Sequence, residues 1–164
     1  MSQSRQARRL EVRLAEPGDE DVIERLIAAA FGPFRELYTP DAFDYTAIKA
    51  DRIRERFTEG PIWLAHDGDQ ALGTVSGLPE GERFYIRSMG VAPEAQGRGV
   101  GQRLLDAIDE HARDRGFKRL YLYTTFVLPG ARPLYEKNGF YILRETPPEE
   151  WFGMAGIEME KVLD

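Results

Sequence analysis

The amino-acid sequence predicts an α/β fold in which helices flank a mixed central β-sheet. Strand-like and helix-like segments alternate along the 164 residues, and a glycine-rich stretch joins one strand directly to a helix that another strand follows. A strand, a helix and a strand in this order form a βαβ unit, whose crossover is right-handed in nearly all proteins. The strands of this unit, 84–91 and 120–125, are therefore expected to lie roughly parallel in one sheet, with the glycine-rich stretch at the carboxyl end of the first.

The N-terminal third of the chain predicts one strand and two helices. Val12 and Leu14 alternate with charged residues, as in a half-buried strand. Asp19 is placed to cap a helix, and residues 31–40 predict a loop. A second helical stretch is expected from residue 40 to the stop signal at 60–61. The apolar residues of the first helix recur at every third or fourth position: Val22, Ile23, Leu26, Ile27 and Ala30.

The rest of the chain supplies the remaining strands and helices. Residues 62–65 and 71–78 predict a hairpin, because the Asp67-Gly68 pair between them is typical of a tight β-turn. The helix of the βαβ unit ends at Arg115-Gly116, and a short helix over 131–137 is closed by Asn138-Gly139. Strands over 140–143 and 156–162 complete the order. The apolar stripe of the βαβ helix consists of Leu104, Leu105, Ile108 and Ala112.

Length and composition limit the classes of function. The chain fits one domain, expected over 11–164 after a flexible tail at 1–10. No window approaches the roughly 18 apolar residues of a membrane span, so we expect a cytoplasmic protein without a membrane partner. The absence of cysteine excludes thiolate metal sites and a cysteine nucleophile. The net charge of -6 argues against nucleic-acid binding and is compatible with a cationic substrate.

The two histidines and the two tryptophans favour ordinary structural roles. His66 and His111 lie far apart in sequence, so we predict solvent-exposed histidines rather than a zinc site, and no bound metal. Trp63 is expected in the core. The pair Trp151-Phe152 lies in a late loop, where it could line a substrate pocket or form a dimer contact.

The glycine-rich stretch VAPEAQGRGVGQRLL, at 91–105, differs from two well-known phosphate-binding loops. A P-loop needs Lys and then Ser or Thr after its last glycine, and here Gln102 and Arg103 follow Gly101. A dinucleotide fingerprint needs GxGxxG, and counting from Gly97 or Gly99 the last position falls on a residue other than glycine. What remains is a run of backbone N–H groups at a helix N-terminus, which suits a diphosphate without a metal ion. The alternative is a tight turn that needs glycine for its backbone angles alone.

The stretch resembles a signature of the GNAT superfamily of N-acetyltransferases. Residues 96–101, QGRGVG, match the Q/R-x-x-G-x-G/A motif with which these enzymes bind the pyrophosphate of acetyl-CoA. The preceding IRSMGVAPEA is similar to the family's fourth strand and its link to the motif, and ARPLYEKNGF is similar to its late helix. The resemblance covers the chain from about residue 11 to 163. It implies the GNAT fold, in which the fourth and fifth strands splay apart.

The resemblance also implies roles for individual residues. Met89, Gly90 and Val91 would form main-chain hydrogen bonds with the pantetheine arm, and Tyr135 would protonate the departing thiolate. A phenol within hydrogen-bond distance suits that task, because the thiol of coenzyme A has a pKa near that of cysteine, about 8.5. Without the resemblance, a half-buried core tyrosine is the more ordinary interpretation. The residues implied to present N–H groups to the pyrophosphate are Gln96, Gly97, Arg98, Gly99, Val100, Gly101 and Gln102.

Two positions depart from the family pattern. Tyr85 stands where histone-acetylating members carry a glutamate that acts as base, so Glu82, Glu36, Asp41 or a water chain are the alternatives. Many members carry an asparagine that touches the pantetheine where this chain has Leu128. Thr124, Thr125 or a backbone group could supply that contact instead.

The resulting hypothesis is an acetyl-CoA-dependent N-acetyltransferase that moves an acetyl group to a primary amine by direct attack in a ternary complex. The alternative is a non-catalytic acyl-CoA-binding or regulatory module on the same fold, and the presence of Tyr135 favours catalysis over it. A pure interaction domain without a cofactor is disfavoured by the QGRGVG loop. The acceptor, the length of the acyl group and the oligomeric state stay open, although homodimers are common in the family. Residues 31–40 and 146–153 are expected to shape the acceptor pocket.

Overall fold

The computed structural model describes residues 9–164, and most of the tail expected at 1–10 lies outside these residues. Seven strands form one sheet in the order β1-β2-β3-β4-β5-β7-β6. The sheet is flanked by helices, so the predicted α/β class with a mixed central sheet is confirmed. The strands are β1 (Leu10–Leu14), β2 (Ile62–Asp67), β3 (Gln70–Glu80), β4 (Arg83–Val91), β5 (Arg119–Thr125), β6 (Tyr141–Thr146) and β7 (Gly156–Val162).

The splayed pair that the resemblance implies is β4 and β5. All other neighbouring strands are antiparallel, whereas β4 and β5 are parallel, as the βαβ unit predicts. Their pairing runs only from Arg83 opposite Arg119 to Tyr85 opposite Tyr121. Beyond Tyr85 the two strands do not pair within the described residues, and the sheet opens there.

Within residues 9–164, five α-helices flank the sheet: α1 (Glu20–Phe31), α2 (Pro40–Thr46), α3 (Ala50–Arg56), α4 (Val100–Asp114) and α5 (Ala131–Lys137). Two expectations need correction. The segment predicted as a loop contains a 3₁₀ helix, Gly32–Leu37. The single helix expected from residue 40 to 60 is two helices separated at 47–49, because Phe43 and Ile48 are both buried. Five residues apart, they would point about 140° away from each other on one straight helix.

The helices α1 and α4 cover opposite faces of the sheet. A Cβ atom at Gly73 would meet Val100 of α4 at 2.7 Å, whereas a Cβ atom at Gly90 would meet Ala30 of α1 at 3.0 Å. Gly90 pairs with Thr74, the residue after Gly73, and consecutive strand residues face opposite sides. The apolar stripe predicted for α4 is buried against its face of the sheet.

A bulge interrupts β4 just before its end. Thr74 of β3 pairs with Gly90 and Ser76 pairs with Arg87, so Ser88 and Met89 together oppose Val75. Ser88 has a φ of 56°, in the left-handed region that non-glycine residues rarely adopt. Bulges of this kind redirect side chains and end strand pairing, and this one lies where β4 leaves β5.

Candidate functional site

A cavity of about 520 Å³ occupies the opening between β4 and β5. One side is formed by the two strands and by α5, which contributes Tyr135. The other side is formed by the segments before and within α2, with Tyr38 and Tyr45, and by the loop before β7, with Trp151. The two segments expected to shape a pocket, 31–40 and 146–153, thus both contribute residues to its lining.

Tyr135 is held in the cavity lining by the short helix α5. Its side chain is only 8% exposed and its ring packs edge-on against Phe140, with 5.7 Å between the centroids. Burial, with a smaller contribution from Tyr38, raises the pKa of Tyr135 to about 12. The phenol therefore keeps its proton at neutral pH and can donate it toward the cavity.

The glycine loop, residues 96–101, leads from the end of β4 into α4. Gly97 and Gly99 have φ values of 83° and 80°, which residues other than glycine rarely adopt. A Cβ atom at either position would meet no atom of the described protein within 4 Å. The backbone angles alone thus account for glycine at both positions, and the space in front of them is open to a ligand. Gly101 differs, because a Cβ atom there would meet Leu134 of α5 at 3.0 Å.

The first turn of α4 presents backbone donors. Gly99 is the N-cap and no side chain caps it, and the first helical bond runs from the Arg103 N–H to the Gly99 carbonyl at 3.1 Å. The N–H groups of Val100, Gly101 and Gln102 therefore have no carbonyl partner within the helix. Such a helix end, with the positive end of its dipole, is suited to bind an anion.

Two side chains of the predicted pyrophosphate loop have partners in the protein. The Arg98 guanidinium donates to Asp67 Oδ2 at 2.8 Å and so ties the loop to the end of β2. The Gln102 and Asn138 amides donate to each other, at 2.6 and 3.0 Å, and Asn138 also donates to the Leu134 carbonyl. The Gln102–Asn138 pair links α4 to the end of α5, the helix that carries Tyr135.

The residues implied to bind the pantetheine arm lie at the end of β4. Gly90 and Val91 pair with Thr74 and Gly73 on the β3 side. Their strand has separated from β5 by this point, so its other edge is not used in the sheet within the described residues. An extended ligand could lie along that edge as an additional strand does.

The end of β5 offers hydroxyl groups where the family pattern has asparagine. Leu128, Thr124 and Thr125 all line the cavity. Thr125 Oγ1 is buried without a hydrogen bond of regular geometry among the described residues, although it lies close enough to the Tyr38 hydroxyl to offset part of the rise that burial causes in the pKa of Tyr38. A buried hydroxyl without a partner is costly, so this atom is suited to a polar group of a ligand.

Tyr85 lines the cavity but is not a base. Its ring stacks on that of Tyr121, with 4.9 Å between centroids, and burial raises its pKa well above the usual range. Of the carboxylates named as alternatives, Glu36, Asp41 and Glu82 are all exposed and outside the cavity lining. The carboxylates that do line it are Glu80 at the end of β3 and Glu150, which is paired with Arg144 at 2.9 Å. The sequence carries no signal for these two, since one ends a strand and the other lies in a short 3₁₀ helix much later in the chain.

The two residues of the late aromatic pair differ in position. Trp151 lines the cavity, whereas Phe152 lies outside the lining and is 44% exposed. The ring of Phe152 lies 5.2 Å from that of Tyr45, and the ring of Trp151 lies 6.0 Å from it, edge-on. The Thr39 hydroxyl caps α2 and donates to the Phe152 carbonyl at 2.6 Å, so these contacts fasten the loop before β7 to α2. The pocket interpretation thus holds for Trp151.

Trp63 is buried in the core as predicted. His111 is partly exposed, and its ring also lies against the rings of Trp63 and Phe84, with centroids 5.2 and 5.4 Å away. Its position on the inner side of α4 brings it over the sheet. His66 is partly exposed, with Nδ1 3.0 Å from the Gly68 carbonyl oxygen.

In the part of the chain that the structure describes, residues 9–164, no group of three or more potential metal-ligating side chains lies together. None of the helices in these residues has the length and apolar character that crossing a membrane requires.

Sequence comparisons decide the family. A family model described as "Acetyltransferase (GNAT) family" matches residues 23–140. The uncharacterized N-acetyltransferase YhfO of Bacillus subtilis is 31% identical over 121 residues, which cover 70% of this chain and 80% of YhfO. The chain belongs to the GNAT acetyltransferase family. The resemblance in the glycine loop and in the late helix is thereby confirmed.

Other relatives of this GNAT protein differ in length. A mycothiol acetyltransferase of Beutenbergia cavernae is 41% identical over 95 residues, which cover 54% of this chain but only 32% of that protein. The present chain thus spans about a third of that relative. The structure of PaiA N-acetyltransferase from Thermoplasma acidophilum in complex with coenzyme A has a TM-score of 0.80 at 14% identity, covering 94% of this chain and 99% of PaiA. This likeness confirms the GNAT fold.

Proposed function

We propose that this GNAT protein transfers an acetyl group from acetyl-CoA to a primary amine by direct attack in a ternary complex. The observation that carries the proposal is the position of Tyr135. A protonated, buried phenol lines a cavity that lies between the splayed strands. A protein that only bound acyl-CoA would need the loop but not this acid.

The glycine loop is suited to the diphosphate of coenzyme A. The N–H groups of Val100, Gly101 and Gln102 carry partial positive charge, and no side chain caps them within residues 9–164. Nothing in the described protein lies above Gly97 and Gly99. The structure of PaiA N-acetyltransferase is a complex with coenzyme A, which agrees with a donor site of this kind on the fold. We assign Gln96, Arg98 and the intervening backbone to the same site.

When bound, acetyl-CoA supplies a thioester, whose carbonyl carbon accepts the amine and whose sulfur departs. The task of Tyr135 is to donate its proton to that sulfur. A thiol of pKa about 8.5 leaves readily once a donor lies within hydrogen-bond distance. The unpaired edge of β4 at Met89, Gly90 and Val91 and the hydroxyl of Thr125 are placed to align the donor along the opening.

The amine must lose a proton before it can attack. For an amine with a pKa of about 10.4, deprotonation at pH 7 costs about 4.6 kcal/mol. The raised pKa of Tyr85 keeps that side chain neutral and excludes it from this task. Glu80 and Glu150 line the cavity, and a water chain from its mouth is the other route. A covalent acyl-enzyme on cysteine is excluded, because the sequence has no cysteine.

Two measurements test the proposal in sequence. Calorimetry with acetyl-CoA is expected to show binding, and its absence would overturn every donor assignment made above. A panel of amines is then assayed for acetyl-CoA-dependent release of thiol. Turnover with at least one class of amine supports the proposal. Binding without turnover across amino acids, polyamines, aminosugars and peptides would instead favour the non-catalytic module.

A further inference from the structure

The charges around the cavity are unequal at its two ends. Near the β3–β4 turn, Arg83 is balanced by Glu158 at 3.2 Å and Glu160 at 3.4 Å, and its guanidinium packs over the ring of Tyr121. At the other end, near the β4 bulge, the positive charges of Arg56 and Arg87 lie close together, and only Arg87 is paired with a carboxylate among the described residues, that of Glu59.

Glu59 cannot neutralise both arginines. It binds Arg87 and, at 2.8 Å, Arg52 of α3, and the resulting hydrogen bonds lower its pKa to about 2. Arg52 lies 3.6 Å from a second carboxylate, that of Glu55. Arg56 makes no ion pair within residues 9–164, and burial lowers its pKa to about 10. One positive charge is thus left over next to the cavity.

Arg87 and Ser88 bring this excess charge to the cavity lining. Arg87 lines the cavity with a side chain that is 9% exposed, and its Nε has no hydrogen-bond partner among the described residues. Arg56, 2% exposed, donates to Ser88 Oγ at 2.6 Å and so holds the bulged residue from behind. The Arg87 donor that a ligand can reach is Nη1, which makes no hydrogen bond among the described residues, and a guanidinium of this kind on a cavity surface is a site for a planar anion.

We propose that the acceptor amine carries a carboxylate, as a free amino acid does, and that Arg87 binds this group. The proposal rests on the proposed acetyltransferase function and specifies its substrate class. A single negative charge matches the single excess positive charge, and a carboxylate can accept from Arg87 Nη1 while Glu59 accepts from Nη2. The net charge of -6 favours a cationic acceptor, which the ammonium of an amino acid satisfies. Charges more than a Debye length, about 8 Å, from a bound group are largely screened. The binding of the acceptor's carboxylate end is therefore decided by the arginines near it and not by the net charge.

The test compares amino acids with their carboxamides and with the amines that lack the carboxyl group. Initial rates of acetyl-CoA-dependent thiol release give kcat/KM for each matched set. We expect the carboxylate form to be preferred about 10- to 100-fold, as for hydrogen bonds to charged groups. In Arg87→Gln the preference should fall toward unity, whereas Arg87→Lys should keep part of it and the affinity for acetyl-CoA should stay the same in both.

Two further variants separate a direct contact from a loss of structure. Glu59→Gln removes the anion that competes for Arg87, so the preference for the carboxylate should increase. Arg13→Gln removes an exposed arginine paired with Asp19, far from the cavity, and should leave the preference unchanged. Equal rates for acids and amides in the wild-type protein would overturn this proposal and leave the acetyltransferase function intact. Binding of acetyl-CoA without acetylation of any amine would overturn both.

Discussion

The donor side and the acceptor side of the candidate site are built from different kinds of groups. The donor side is the glycine loop with the first turn of α4, which lies outside the cavity lining and presents backbone N–H groups from one continuous segment, 96–102. The acceptor side is the cavity lining, whose side chains come from separate segments such as α2, β4 and the loop before β7. A continuous segment can be read as a motif, whereas a surface assembled from several segments has no spacing to read. The donor side is accordingly the more general part and the acceptor side the more individual one.

The largest effect is expected at Tyr135, which lies between the two sides of the candidate site. Tyr135→Phe keeps the ring packed against Phe140 but removes the proton donor, so kcat should fall by about 100-fold or more. The dissociation constant for acetyl-CoA, measured by calorimetry, should remain nearly the same. Tyr141→Phe is the matched control, because Tyr141 is exposed on β6, outside the cavity lining. An unchanged kcat in Tyr135→Phe would remove the residue from the mechanism.

A methyl group added to the glycine loop tests whether backbone groups bind the donor. Gly99→Ala places a side chain in the open space before α4 and should weaken acetyl-CoA binding by about tenfold, the loss of one charge-assisted hydrogen bond. Its φ of 80° also costs about 1 kcal/mol of stability. Gly116→Ala has nearly the same φ, 81°, and equally open surroundings at the other end of α4. It should lose the same stability in urea titration and keep its affinity for acetyl-CoA.

The link between α4 and α5 tests how the donor side positions the acid. Gln102→Ala removes the reciprocal amide pair with Asn138, at a cost of about 1 kcal/mol in unfolding free energy. We expect kcat to fall several-fold with little change in the KM for acetyl-CoA, because the backbone donors remain. Asp106→Ala removes only the other partner of Gln102, 2.9 Å away. If it lowers kcat as much as Gln102→Ala does, the amide pair is not what positions α5.

The smallest expected effect is on the pH dependence of stability. It concerns His111, which lies away from both sides of the candidate site. Burial lowers its pKa from the usual 6.5, so below that pH the unfolded chain binds a proton more readily than the folded one. Its contribution to stability is thus present above about pH 6.5 and declines as the pH falls further. Urea unfolding at pH 7.5 and 5.5 should show a smaller difference for His111→Gln than for the wild type. His66→Gln is the control, and an equally reduced difference there would contradict the assignment to His111.

Much of the fold could be predicted from local patterns. The strand order around the βαβ unit, the amphipathic α4 and the short α5 follow from apolar spacing and from glycine and proline signals. The split between α2 and α3 could not be predicted, because both halves form helices and only the burial of Phe43 and Ile48 requires the break. The partial burial of His111 has a similar reason. Its polarity suggested full exposure, whereas part of its ring packs against Trp63 and Phe84.

The residues of the candidate site also differ in whether the sequence could predict them. Met89, the QGRGVG loop and Tyr135 could be named from two motifs, and their assignment to the donor stays a prediction that the variants above test. Glu80, Glu150, Arg87 and Tyr38, which line the cavity together with Met89 and Tyr135, have no signal in their sequence neighbourhoods. Each is an ordinary residue type in an ordinary context, and only the packing of distant segments brings it to the cavity.

The sequence by itself determined the family, the order of strands and helices and the donors of the glycine loop. These follow from backbone preferences and apolar periodicity, which act over a few neighbouring residues. The tertiary structure alone decided which charges meet at the cavity. Arg56, Glu59 and Arg87 are brought together there from α3, the turn after it and β4, and Arg56 is left without a carboxylate in the described part of the chain. Electrostatic balance depends on distances of a few ångströms in space, and sequence separation does not encode those distances.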